Sequence, residues 1–129
     1  MNLLCFFRSC FLACILVLFS SQLKAIQDIK TEEEFYQLVE QKENVIANFY
    51  TTWSAPCQHM LIMLETVEKE FPMIKFIKVN SDLLRHLAIT LQVKRIPTLI
   101  FYKLGEELDR VAELIPQNQL ELLIEKLYQ

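Results

Sequence analysis

Few side chains in this sequence could do chemistry. Cys57 closes the stretch Trp53-Ser54-Ala55-Pro56-Cys57; His59 and His86 are the two histidines; Cys5, Cys10 and Cys14 all fall within the first 25 residues. As a hydrolytic nucleophile Ser54 would need a neighbouring base. His59 lies two positions past Cys57 and, on a helix, faces elsewhere, so Ser54 reads as a helix cap. A structural zinc site needs four nitrogen or sulfur ligands at short spacing, and one thiol with two distant histidines does not provide them. Neither a metal nor a cofactor is expected. The chemistry to be explained is a single thiol, Cys57, with a serine three residues before it.

The elements that must hold this stretch can be read on both sides of it. Val45 to Tyr50 is an apolar, β-branched and aromatic run suited to a strand buried on both faces. Pro56 sits where a helix begins, because its fixed φ and missing amide cost nothing there. That helix carries Cys57, Met60, Leu61, Leu64, Val67 and Phe71 at three- and four-residue spacing, and Pro72 is expected to stop it. Upstream, Ala25 to Ile29 reads as a short edge strand. Thr31-Glu32-Glu33-Glu34 is a capping box, placing Phe35, Leu38 and Val39 on one helical face and acids in the first turn, where the macrodipole favours them.

Downstream, Met73 to Val79 reads as a strand. Asp82 is expected to cap a helix burying Leu83, Leu84, Leu87, Ala88 and Leu91. Thr98 to Tyr102 and Leu108 to Val111 pair as a hairpin about the Leu104-Gly105 turn. Pro116 opens a last helix with an apolar stripe of Leu120, Leu123, Ile124 and Leu127. Parallel crossovers followed by one terminal hairpin describe an α/β fold with a mixed central β-sheet flanked by helices.

Trp53-Ser-Ala-Pro56-Cys57 and Ile96-Pro97-Thr98 together resemble two motifs of the thioredoxin family: the Trp-Cys-x-Pro-Cys active-site loop and the cis-proline loop. Their separation, 40 residues from Cys57 to Pro97, matches the short spacing of that family. Lys78 and Gly105 also fall at family positions, and the likeness runs from about Ile26 to Leu127. The resemblance implies the thioredoxin fold. It also implies a shallow apolar groove at Trp53, Ile96, Pro97 and Val111 that takes an extended peptide.

Against that family pattern the chain departs at four places. Ser54 stands where the family has its attacking, low-pKa cysteine, and a hydroxyl has no comparable acidity and forms no disulfide. Asn48 stands where the family places a buried acid that exchanges a proton with the second cysteine, and an amide does not titrate. Ile62 replaces the proline that kinks the helix, so a straighter helix is expected, and Ala112 replaces a glycine of the groove. The first two departures remove the same function. Cys57 is then either vestigial and shielded or the thiol of a monothiol exchanger.

The N-terminus differs from the rest. Cys10 to Phe19 is an unbroken apolar run of ten, preceded by Arg8 and followed by Ser20-Ser21-Gln22. That is the layout of a secretory signal peptide, with cleavage after Gln22 or Ala25. The competing reading is a retained anchor over residues 3–19, which is slightly short of the roughly 20 apolar residues that span a bilayer and contains a charge. Removal of residues 1–25 leaves Cys57 as the one thiol of domain 26–129. Of the 13 basic residues only Arg8 and Lys24 lie in the first 25, and none of the 16 acids does, so that domain holds 11 against 16, a net of −5. Such a balance argues against nucleic acid as a partner.

The sequence thus leads to a thioredoxin-like protein, secreted or lumenal in the secretory pathway. It is redox-impaired and binds peptide or protein partners through the groove around Trp53 and Pro97. The alternative is thiol-disulfide exchange through Cys57. A membrane enters only if residues 3–19 are retained.

Overall fold

The computed structural model describes residues 26–129, so the N-terminal segment and its expected cleavage or anchoring lie outside the described residues. Five strands form one sheet: β1 (Gln27–Asp28), β2 (Asn44–Tyr50), β3 (Lys75–Asn80), β4 (Thr98–Lys103) and β5 (Glu106–Val111). Their order is β1-β3-β2-β4-β5. β3 pairs in parallel with β1 and β2, whereas β4 runs antiparallel to both β2 and β5. Four helices flank the sheet: α1 (Glu32–Gln41), α2 (Ala55–Val67), α3 (Arg85–Thr90) and α4 (Gln117–Leu127).

Strand alternation divides the core into two layers. Val45, Ala47 and Phe49 of β2 meet Phe35 and Val39 of α1 and Leu87 of α3 on one side. Ile46 faces the other way and packs with Met60 and Leu64 of α2 and Leu120 and Ile124 of α4. β2, central and covered on both faces, is therefore apolar throughout except at Asn44 and Asn48. Tyr128, just past α4, ties the second layer to the sheet: its hydroxyl donates to the carbonyls of Val45 (2.9 Å) and Tyr102 (3.1 Å).

The capping box forms around Thr31. The Thr31 hydroxyl accepts from the Glu34 amide at 3.1 Å, while the Glu34 carboxylate reaches one residue further back than expected, to the Lys30 amide at 2.8 Å. That backbone bond first, and then the Gln27 side chain, hold the Glu34 carboxyl below the usual carboxylate range. In the hairpin turn Leu104 and Gly105 both take positive φ, at 51° and 82°. Glycine meets that geometry without strain; Leu104 is held in it by its amide bond to the Glu43 carbonyl at 2.8 Å.

Several boundaries differ from the sequence expectations. α2 ends at Val67 and tightens into one 3-10 turn over Glu68–Glu70, so Phe71 is outside the helix. Pro72 acts earlier than a simple stop: its ring disfavours helical backbone at Phe71, which sits at φ −123°, ψ 67°. β3 starts at Lys75, leaving Met73 exposed. α3 starts at Arg85, and Asp82 does not cap it. Instead the Asn80 side chain accepts from the amides of Asp82 and Leu83, which forms a turn before the helix and leaves Leu83 exposed. β5 begins at Glu106, with Leu108 as the extra residue of a bulge, because Phe101 opposes Asp109 while Tyr102 opposes Glu107. Pro116 precedes the first turn of α4 instead of opening it.

Candidate functional site

Strand register brings the singled-out residues to one end of the sheet. Phe49, near the end of β2, pairs with Thr98, the first residue of β4. The loop leaving β2, Thr51 to Ser54, therefore lies beside Ile96-Pro97, whose peptide bond is cis. Leu99 in turn pairs with Val111, the last residue of β5. β3 ends at the same level, since the Ser81 amide donates to the Tyr50 carbonyl at 2.8 Å. The carboxyl ends of parallel strands are where open α/β sheets usually bind ligands.

Ser54 is the N-cap of α2. Its backbone is extended at φ −89°, ψ 121°, and its hydroxyl accepts from the Cys57 amide at a long 3.4 Å. Pro56 lies in the first turn, where no amide is needed. Cys57 follows, unpaired and with no exposed surface. α2 then runs without a break through Ile62, which is exposed, to Val67.

Asn48 lies behind this helix start. It faces the same layer as Ile46 and is fully buried, and neither its Oδ1 nor its Nδ2 has a hydrogen-bond partner. Thr51 Oγ1, at the start of the loop, is likewise buried and unpartnered. Buried polar atoms normally find partners, so Asn48 is a polar weak point in the layer that Ile46 shares with α2. Lys78 is the parallel register partner of Asn48, and its ammonium sits 5.8 Å from the centre of the Tyr50 ring.

Trp53 is the outward feature of the site. It is 72% exposed, and its indole N–H donates to Asp82 Oδ2 at 3.0 Å. Ile96 and Val111 are half-buried, Pro97 is buried, and Ala112 is exposed. Trp53, Ile96, Pro97 and Val111 thus share the sheet end, and Cys57, at the start of α2, has no exposed surface. His59 is exposed on α2, while His86 Nδ1 lies 2.7 Å from Glu32 Oε1 on a different face. Among the described residues no three potential metal ligands come together.

Asp82 is the site residue that sequence reasoning misread. Its partner is 29 positions away, so no local pattern announces the contact. Lys94 and Arg95 stand directly before Ile96-Pro97, and no motif in the sequence singles them out.

Comparison with known proteins agrees with this geometry. The family model described as Thioredoxin matches residues 27–126. Thioredoxin-1 of Saccharomyces cerevisiae is 32% identical over 87 residues, covering 67% of this chain and 84% of that protein. Thioredoxin Y of the rice chloroplast is 35% identical over 98 residues, 74% of this chain but 58% of that longer protein. A solved Plasmodium falciparum thioredoxin superposes with a TM-score of 0.75 at 28% identity, covering 81% of this chain and all of that one. Fold, register and the matched residues lead to one conclusion: this chain belongs to the thioredoxin family.

Proposed function

We propose that this protein is a redox-impaired thioredoxin of the export pathway that binds peptide or protein partners through the groove around Trp53 and Pro97. The observation that carries the reading is Ser54: a hydroxyl caps α2 where the family has its attacking thiol, and Cys57, the one thiol among the described residues, is fully buried. A buried thiol without a partner thiol meets no disulfide. Asn48 supports the same reading, since a buried amide cannot relay a proton to Cys57. The groove residues, in contrast, are retained, with a large aromatic side chain facing solvent. Such an anchor is typical of sites that bind by burying an aromatic or strand-like segment.

The rival is monothiol exchange through Cys57. Anisotropy of a fluorescein-labelled, cysteine-free decapeptide of alternating apolar and polar residues separates the two. The groove reading expects binding that survives Cys57→Ser and weakens at least tenfold in Trp53→Ala. Absence of binding, with a disulfide-bearing peptide captured by the wild type and not by Cys57→Ser, establishes the rival.

A further inference from the structure

Beside the groove lies a depression of about 270 Å³ whose walls include Lys94, Arg95, Thr98, Arg110 and Ala112. It adjoins the groove through the chain itself, because Arg95 immediately precedes Ile96 and Ala112 immediately follows Val111. None of its lining residues is acidic. The three cations are not equivalent. Arg110 is committed: its Nε and Nη2 pair with the two carboxylate oxygens of Glu107, and its Nη1 donates to the Leu91 carbonyl at 3.0 Å. That arrangement neutralises Arg110 and makes it a fixed wall. Lys94 and Arg95 are exposed, and neither side chain has a partner among the described residues.

Two unpaired positive charges thus stand at the mouth of the groove in a domain that is otherwise acidic. Asp82 on the opposite flank is engaged by the Trp53 indole. Asp82 keeps its charge while accepting from that neutral donor, and it and Glu113, exposed just past Ala112, are negative charges that work against Lys94 and Arg95.

We propose that the segment taken by the groove is acidic, with a carboxylate side chain next to the residue that lies along Ile96 entering this depression and pairing with Lys94 and Arg95. The inference rests on the groove reading above and adds the partner's chemistry to it. An extended segment advances about 3.3 Å per residue and alternates its side chains, so one residue can face the apolar floor at Pro97 while its neighbour reaches the two cations. The pairing is exposed, so its contribution is modest and screened by salt.

The test uses domain 26–129 and three cysteine-free decapeptides that are identical except for two positions, occupied by Glu, Gln or Lys. Trp53 is the sole tryptophan and is exposed at the groove, so its fluorescence reports occupancy. The Glu peptide is expected to bind about fivefold more tightly than the Gln peptide at about 50 mM salt, with the difference falling below about twofold at roughly 0.5 M. Lys94→Gln with Arg95→Gln should remove the preference, and Lys94→Glu with Arg95→Glu should transfer it to the Lys peptide. Equal binding of all three peptides, or tighter binding of the Lys peptide by the wild type, overturns the inference and leaves the groove reading standing. Binding of none of them, with Trp53 emission unchanged, overturns both.

Discussion

Asn48→Asp is the substitution whose consequence follows most directly from the geometry. It restores in shape the acid of the resembled family but places a titratable group at a position with no exposed surface and no hydrogen-bond partner. Full burial can raise a carboxyl pKa by up to about 3–5 units. Lys78, its register partner, offsets part of that by offering a positive charge on the same face. A net rise of about 2 units above the ordinary aspartate value near 3.9 costs roughly 3 kcal/mol at neutral pH, at about 1.4 kcal/mol per unit. The sign is fixed by linkage. Between the unfolded and the raised folded pKa the native state holds the extra proton, so stability falls as pH rises through that window and levels off above it. Urea unfolding of wild type and Asn48→Asp, followed by Trp53 emission from about pH 4 to 8, reads the difference. Near pH 4 the two should be close; by about pH 6 to 7 the variant should have lost roughly 3 kcal/mol. A difference that does not change with pH would refute the burial argument. Asn48→Leu gives the complementary result: with two unpaired polar atoms removed, it should be neutral or stabilising by about 1–2 kcal/mol.

Three further outcomes follow from the same contacts. Ser54→Ala removes the cap of α2 and should cost about 1 kcal/mol in urea unfolding, whereas Ser54→Gly should cost only a few tenths. The Glu34 carboxyl is held below its ordinary value by the Lys30 amide, so its contribution to stability is complete above the unfolded carboxylate range and is lost as pH falls through the lowered folded value; Glu34→Gln should remove that acid-side slope and leave the neutral-pH slope unchanged. Mass spectrometry of the protein from its native source should find an N-terminus at Leu23 or Ile26, and an intact Met1 in the membrane fraction would return Cys5, Cys10 and Cys14 to the thiol count.

What the sequence made legible was what is periodic or local. The apolar, β-branched and aromatic run of Val45 to Tyr50, the capping box at Thr31 and the stripe of α4 each follow from near neighbours in the chain, and each formed with at most a residue's difference. The order of elements placed Trp53, Cys57, Pro97 and Val111 at one sheet end, because a strand's end is fixed once its pairing is. Competition among similar signals was harder to read. Asn80, Ser81 and Asp82 can all cap a helix; Asn80 bonds the next two amides, and α3 starts only at Arg85. The long-range bonds of Asp82 to Trp53 and of Tyr128 to β2 and β4 depend on tertiary placement and leave no trace in spacing. Burial of Asn48 was expected from the family pattern, but its lack of partners depends on the surrounding side chains, which the sequence alone does not arrange.

The central claim is that exchanging the first thiol for Ser54, with Cys57 buried, has ended catalytic disulfide turnover. The most direct measurement is reduction of insulin disulfides by domain 26–129 in excess dithiothreitol, beside Ser54→Cys and the double variant Ser54→Cys, Asn48→Asp. Domain 26–129 holds one thiol, and dithiothreitol itself releases any mixed disulfide formed there, so it is the burial of Cys57, which keeps the thiol from the insulin disulfide, that holds the rate to that of dithiothreitol alone. The account predicts wild-type rates indistinguishable from dithiothreitol alone and slow labelling of Cys57 by a bulky thiol reagent until the protein is denatured. It further predicts slow turnover for Ser54→Cys and faster turnover for the double variant. Wild-type turnover matching that of the double variant, with rapid native labelling of Cys57, would contradict it.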